Sequence, residues 1–318
     1  MMKDTILALL LLLSACGGES LNPGTEEPLL VDKGTLHAGE VPPPPDTDPG
    51  TDSAATDLAV TDIELPSSVA GVGESRTLTG RVAEAAYAIA VQLASEATAA
   101  YGSGYWIVPI DGVDPQYPGE RTWTFTATIG HQAPVGMARI RVAGIAGNGS
   151  LGPSRDVDLC LSPSYPDNLN ACDPTLEPPA LVLELQWDRD MDLDLEVVRP
   201  DGSVLSSKSV TAPAKGPAPK GQIDTDSLAG CKPDPRRTEN AFWADKPPTG
   251  VYGLRVRLFS ACSQTSVRFV ARALLRQAGA TPGTWQQTEV ARWTGTLLAS
   301  QVDGGDGAPL LLGNLEMP

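Results

Sequence analysis

The chain of 318 residues has only two histidines, His37 and His131, and no Gly-x-Ser-x-Gly sequence. The first scarcity removes most chemistry built on imidazole, as general base or as metal ligand. The second removes the nucleophile elbow of serine hydrolases. A solitary histidine in a Gly-His turn, as at His131, reads as a surface residue. None of the five cysteines forms a Cys-x-x-Cys pair, so a zinc set is absent as well. Past the first fifteen residues no run approaches the ~20 apolar residues of a spanning helix. Positive charge is also scarce: 23 Lys and Arg face 39 Asp and Glu, a formal net charge of −16. That balance excludes nucleic acid as a partner and offers no basic face to anionic lipid. A carboxylate pair acting on a polysaccharide survives these exclusions, because acids alone suffice for glycoside hydrolysis. Nothing in the chain sets one acid in an apolar pocket, however, and the expectation is a protein that is not an enzyme.

What is present begins at the amino terminus. Lys3 supplies a short charged start, residues 6–13 are an apolar core too short to span a bilayer, and Leu13-Ser14-Ala15-Cys16 follows. This tetrapeptide resembles the bacterial lipobox. The resemblance implies that residues 1–15 are removed as a signal peptide, that Cys16 carries lipid, and that the membrane is a partner through that lipid. Gly17, rather than aspartate, follows the cysteine, which by analogy favours the outer membrane. An ordinary signal peptide cut nearby is the alternative.

Residues 16–57 are rich in Gly, Pro, Thr and acids, with nine acids against one lysine over 17–57, and include Pro42-Pro43-Pro44-Pro45. Such composition buries too little apolar surface to offset the entropy of ordering, so this stretch is expected to be a disordered tether, stiff at the prolines.

Residues 58–172 alternate apolar with polar over 58–63, 76–82, 105–108, 121–129, 138–142 and 157–161, with Gly, Pro and Asp between, as strands of an antiparallel sandwich do. Residues 83–100 are ambiguous: their alanines suit a helix, and Ala88-Ile89-Ala90-Val91 also suits a central strand. The run Arg141-Val142-Ala143-Gly144-Ile145-Ala146-Gly147-Asn148-Gly149 resembles the last hairpin of bacterial immunoglobulin-like modules, which implies an Ig-like sandwich with a spacer role. Residues 173–318 show a second set of strands over 181–187, 193–198, 251–259, 266–275, 292–298 and 310–315, the pattern of another sandwich or jelly-roll-like module. The fold class is therefore all-β, two sandwiches in tandem.

With Cys16 assigned to lipid, Cys160, Cys172, Cys231 and Cys262 form an even remainder, as disulfides in an exported chain require. Three pairings are possible. Cys160–Cys172 and Cys231–Cys262 are favoured, since each then lies within one module.

The second module carries the densest run of acids: Asp188, Asp190, Asp192, Asp194 and Glu196 at alternate positions, before a Pro200-Asp201-Gly202 turn. A continuous strand here would place all five on one face, where they repel. Trp187-Asp188, Asp192-Leu193-Asp194-Leu195 with Val197, Pro200-Asp201-Gly202, Asp224-Thr225-Asp226, Glu239-Asn240 and Pro247-Pro248-Thr249-Gly250-Val251-Tyr252 together resemble the YfaP-type family of bacterial extracytoplasmic proteins of unknown function. The resemblance covers roughly residues 180–275 and implies a β-rich exported module without a known reaction. Two departures stand out: Glu196 occupies a place where many relatives carry histidine, and residues 206–222, with Lys208, Lys215 and Lys220, look inserted.

Two uses of the acids stay open. Calcium takes six to eight oxygens, so Asp188, Asp190, Asp192 and Asp194 could form a loop site closed by Asp224, Asp226, Glu239 and Asn240. The other use is a solvated acidic turn whose carboxylates cap backbone groups and pair with arginines. Most of the tryptophans (106, 123, 187, 243, 285 and 293) should be core. Phe242-Trp243, beside Glu239-Asn240 in an expected loop, is the candidate binding edge for an envelope glycan or protein. The sequence thus describes an outer-membrane lipoprotein with a non-catalytic binding or structural role, its second module a candidate for calcium. An adhesin-like glycan- or protein-binding module is the first alternative, and a polysaccharide hydrolase the second.

Overall fold

The structure, a computed structural model, describes residues 27–42, 56–95, 101–131, 133–207, 220–234 and 236–318. The expected signal peptide, the lipidation residue Cys16, and Lys208 and Lys215 lie outside them.

Two sandwiches follow one another in an all-β fold, antiparallel throughout the described pairings except where the fourth and tenth strands run parallel. The first contains β1 (Leu29–Val31), β2 (Thr35–Ala38), β3 (Val60–Glu64), β4 (Val69–Gly71), β5 (Ser75–Ala83), β6 (Ala88–Ser95), β7 (Gly104–Pro109), β8 (Glu120–Ile129), β9 (Gly136–Ile145) and β10 (Leu151–Ser162). One sheet runs β1-β8-β5-β3 and the other β2-β7-β6-β9-β10-β4. Strict alternation on β8 sends Trp123, Phe125, Ala127 and Ile129 inward, where they meet Leu78, Val82, Ile89, Val91 and Ile140. Within the alanine-rich segment, Ala88–Ser95 is strand, not helix. Ala88 and Ala90 are buried on the outer face of their sheet, under Val41, and that tertiary burial outweighs the helix propensity of alanine.

Val41 corrects the expectation of a tether through residue 57. Leu29 pairs with Ile129 and Thr35 with Ile107, so β1 and β2 complete the edges of both sheets. Val41 donates its N–H to Gln92 at 2.9 Å. Its carbonyl accepts from Arg141, a buried guanidinium held by both carboxylate oxygens of Asp156 at 2.9 Å. His37, expected in the tether, lies on β2 with its ring stacked on Tyr105. The physical reason is edge completion. Two open strand edges and an apolar sheet face are covered by a few residues, Leu29, Val31 and Val41, which a composition average over an acidic, proline-rich stretch conceals.

The second sandwich contains β11 (Leu181–Trp187), β12 (Asp192–Val198), β13 (Val204–Leu205), β14 (Gln222–Ile223), β15 (Thr238–Trp243), β16 (Gly250–Ser260), β17 (Ser266–Ala278), β18 (Trp285–Leu298) and β19 (Leu310–Met317). Its sheets run β14-β15-β11-β17-β18 and β13-β12-β16-β19. Leu183, Leu185, Leu193, Leu195, Leu254 and Phe269 are among its core residues.

Residues 163–180 join the sandwiches and lie against the outer face of the second. Asn170 Nδ2 donates to the carbonyls of Leu176 at 2.9 Å and Trp285 at 3.1 Å. The disulfide Cys160–Cys172 ties this connector back to β10. The other bridge is Cys231–Cys262, spanning 31 residues and joining the 224–231 loop to the end of β16. Closing a loop of that length removes unfolded-state entropy worth about 3–4 kcal/mol. The Cys231→Ser/Cys262→Ser double variant is accordingly expected to unfold at lower urea by that amount. An unchanged urea midpoint would show that the bridge is mechanically idle.

Candidate functional site

The row of acids does not survive as one row. β11 ends at Trp187 and β12 begins at Asp192, so Asp188 and Asp190 fall in the turn between them. There they have other partners. Asp188 accepts the backbone N–H of Arg268 at 2.9 Å, and Asp190 pairs with Arg237 at 2.8 Å. At the far end Glu196 pairs with Arg257 at 3.0 Å, and Arg257 also holds Asp303 at 2.9 Å.

Glu239 and Asn240 lie on β15 rather than in a loop, and adjacent strand residues point to opposite sides. Asn240 faces the connector. Its side-chain amide donates to Asp224 at 2.9 Å and to the carbonyl of Ser164 at 3.0 Å, and Asp224 also accepts the Asn240 N–H. Glu239 shares its side of the strand with the core residues Ala241 and Trp243. The eight expected ligands therefore divide. Asp188, Asp190, Asp224 and Asn240 are engaged elsewhere, while Asp192, Asp194, Asp226 and Glu239 come together.

Asp192, Asp194 and Asp226 cluster, with Glu239 beside them, where β12 outruns its short partner β13, which pairs only with Val197 and Val198. Leu195 lies beyond that pairing and donates its N–H to Glu239 Oε2 at 2.7 Å. Asp192 is buried and accepts the N–H of Gly230 at 2.7 Å; Asp194 accepts the hydroxyl of Ser207 at 3.0 Å. Asp226 is exposed and forms the rim. One carboxylate oxygen from each of Asp192, Asp194 and Asp226 lies within 4.8 Å of the others. Glu239 is fully buried, and its second oxygen, Oε1, has no hydrogen-bond partner.

Like charge and burial act together here. Burial pushes the Glu239 carboxyl well above the usual carboxylate range, against the Leu195 N–H, and Asp194, Asp226 and Asp192 push it the same way. Asp192 is pushed up to about 6, first by burial and then by Asp194 and Asp226, with the Gly230 N–H opposing. An oxygen-only cradle of this kind suits a hard cation and offers nothing to a soft one. Both histidines belong to the first sandwich, and Cys231 is tied to Cys262.

The signal that could have placed Glu239 inside is its period-two spacing with Ala241 and Trp243. The polar start Thr238-Glu239-Asn240 hides it, because a strand opening on three polar residues reads as loop. Trp243, expected at an exposed binding edge, is 1% exposed and packs edge-on against Tyr252 with ring centroids 5.3 Å apart. Phe242 is half-buried and lines a groove with Lys220, Gln222 and Asp245.

No family model matches this chain, and no curated protein matches it. Solved structures with partial likeness include Ace from Enterococcus faecalis, described as binding its ligands by a collagen hug, at 9% identity over 77% of this chain and 96% of that one, with a TM-score of 0.20. The collagen adhesin from S. aureus is similar at 11% identity over 77% of this chain and 97% of that one, with a TM-score of 0.19. Overlaps at these scores assign neither a role nor a ligand.

Proposed function

We propose that this protein is an exported, non-catalytic β protein, held at the outer membrane by lipid on Cys16. In this reading it presents its second sandwich at the envelope as a binding or structural module. One observation carries the reading: the four cysteines beyond Cys16 close into two disulfides, which calls for an oxidising compartment. The connector supports a display role, because hydrogen bonds to the second sandwich and a disulfide to the first hold it at both ends. Among the described residues no helix is long and apolar enough to cross a membrane, and lipid serves as the anchor here. The partner class is an envelope glycan or protein. The likeness of residues 180–275 to the YfaP-type exported proteins belongs to the same proposal.

The test is mass spectrometry of the protein from its native membrane fraction, with thiols alkylated at lysis. The expected result is an acylated Cys16 at the amino terminus and no alkylated cysteine. Cys16→Ser should release the protein into the soluble fraction. Free thiols at the other four cysteines, or an unmodified amino terminus, would overturn the reading.

A further inference from the structure

We infer that Asp192, Asp194, Asp226 and Glu239 form a binding site for one divalent cation of the calcium class, which locks the open edge of β12 to β15 and to the 224–231 loop. This inference stands on the clustered acids and the buried Glu239 and does not depend on where the protein resides.

A cluster of acids is commonly no more than a solvated surface, and the distinguishing feature is Glu239. Its side chain is fully buried, one oxygen is used by Leu195, and the other has no partner. A buried acceptor left bare costs more than one never placed there. Among the described residues, the ionisable groups bearing on it are three more carboxylates, Asp194, Asp226 and Asp192. The fold thus sets a buried carboxylate oxygen without a hydrogen-bond partner next to three clustered aspartates. A bound cation accounts for that buried, bare oxygen, whereas a solvated turn does not.

The donor set selects the ion. All ligands are carboxylate oxygens, so zinc and copper find neither nitrogen nor thiolate. Magnesium demands a near-ideal octahedron and keeps several waters. Calcium accepts irregular oxygen sets, such as one that mixes two strand carboxylates with a rim aspartate on a loop. The ligands come from β12 (Asp192, Asp194), the 224–231 loop (Asp226) and β15 (Glu239). These segments are far apart in sequence, so an ion joining them is coupled to folding. The loop is already pinned one residue beyond Gly230 by Cys231, which limits the ordering that binding must supply.

The experiment uses the full exported chain, dialysed against chelator and melted with added calcium, with magnesium, or with sodium chloride at matched ionic strength. Calcium is expected to raise Tm by roughly 5–10 °C at a concentration about a hundredfold above its Kd, and magnesium by less than half as much. Glu239→Gln should lose most of the calcium response, because a neutral amide replaces the anionic ligand. Asp194→Asn should lose the response as well. Calcium titration calorimetry on the wild type, which needs no variant to fold, should give one site per chain. A wild-type melt that calcium leaves unchanged overturns the inference, as does a calcium response that Glu239→Gln and Asp194→Asn both retain. An equal response to magnesium overturns the choice of ion.

Discussion

Trp243→Ala is expected to lower the stability of the second sandwich by about 3–5 kcal/mol, the usual cost of truncating a buried aromatic to alanine. The ring is 1% exposed and meets Tyr252 edge to face. Gly221 lies against it so closely that a Cβ there would come within 2.4 Å of the indole. Backbone strands hold the surroundings in place, with Leu181 paired to Trp243 and the Ala180 N–H donating to the Trp243 carbonyl at 2.8 Å. The site cannot collapse freely, so a cavity remains. Urea unfolding followed by far-UV circular dichroism measures the loss. A variant with the wild-type midpoint would show that the indole is peripheral. Any loss of partner binding on this substitution is then a consequence of lost fold, and Phe242, half-buried beside the groove, is the better position for probing recognition.

Arg272→Met is the second large effect, again expected at about 3–5 kcal/mol, because it strands a buried carboxylate. Glu184 sits at the centre of the outer face of its sheet, fully buried under the connector. Arg272, its cross-strand neighbour, donates to it from Nε at 2.7 Å and also from its terminal nitrogen. The Ser164 hydroxyl bonds the other carboxylate oxygen, and the Tyr165 ring lies 5.6 Å from the guanidinium. Removing Arg272 leaves the buried charge with the Ser164 hydroxyl and, further off, Arg292, which is already paired with Glu289. The Glu184→Met/Arg272→Met double variant is expected to lose much less than the single one, since removing both charges avoids the stranded one. Equal losses in the two variants would mean that the connector, and not the ion pair, sets the cost. Hydrogen exchange of residues 163–170 separates these outcomes, because an uncovered connector exchanges faster only when its docking fails.

Much of the architecture was legible in the residues, and the reasons are local. The alternation over 121–129 and 181–187 depends on nothing beyond the period of a strand, and both segments are strands with those faces buried. An even number of cysteines, with each close pair confined to one module, pointed to the bridges that form. What local pattern could not supply was the covering of edges. The segment 27–42 has the composition of a tether and becomes β1, β2 and the lid over Ala88 and Ala90, since only the assembled sheets present the edges and apolar face that it completes.

The acids show the same division. Sequence by itself determined that carboxylates would crowd between residues 188 and 239, without histidine or free thiol to join them, and so restricted any ligand there to a hard cation or solvent. Only tertiary structure decided which of them meet. A turn after Trp187 sends Asp188 and Asp190 to the backbone of β17 and to Arg237. The pleat of β15 then places Asn240 against the connector and Glu239 inside, one residue apart on opposite sides of a strand. Spacing along a chain fixes which side chains share a face, but whether that face meets water, an arginine or three other carboxylates depends on the segments folded against it.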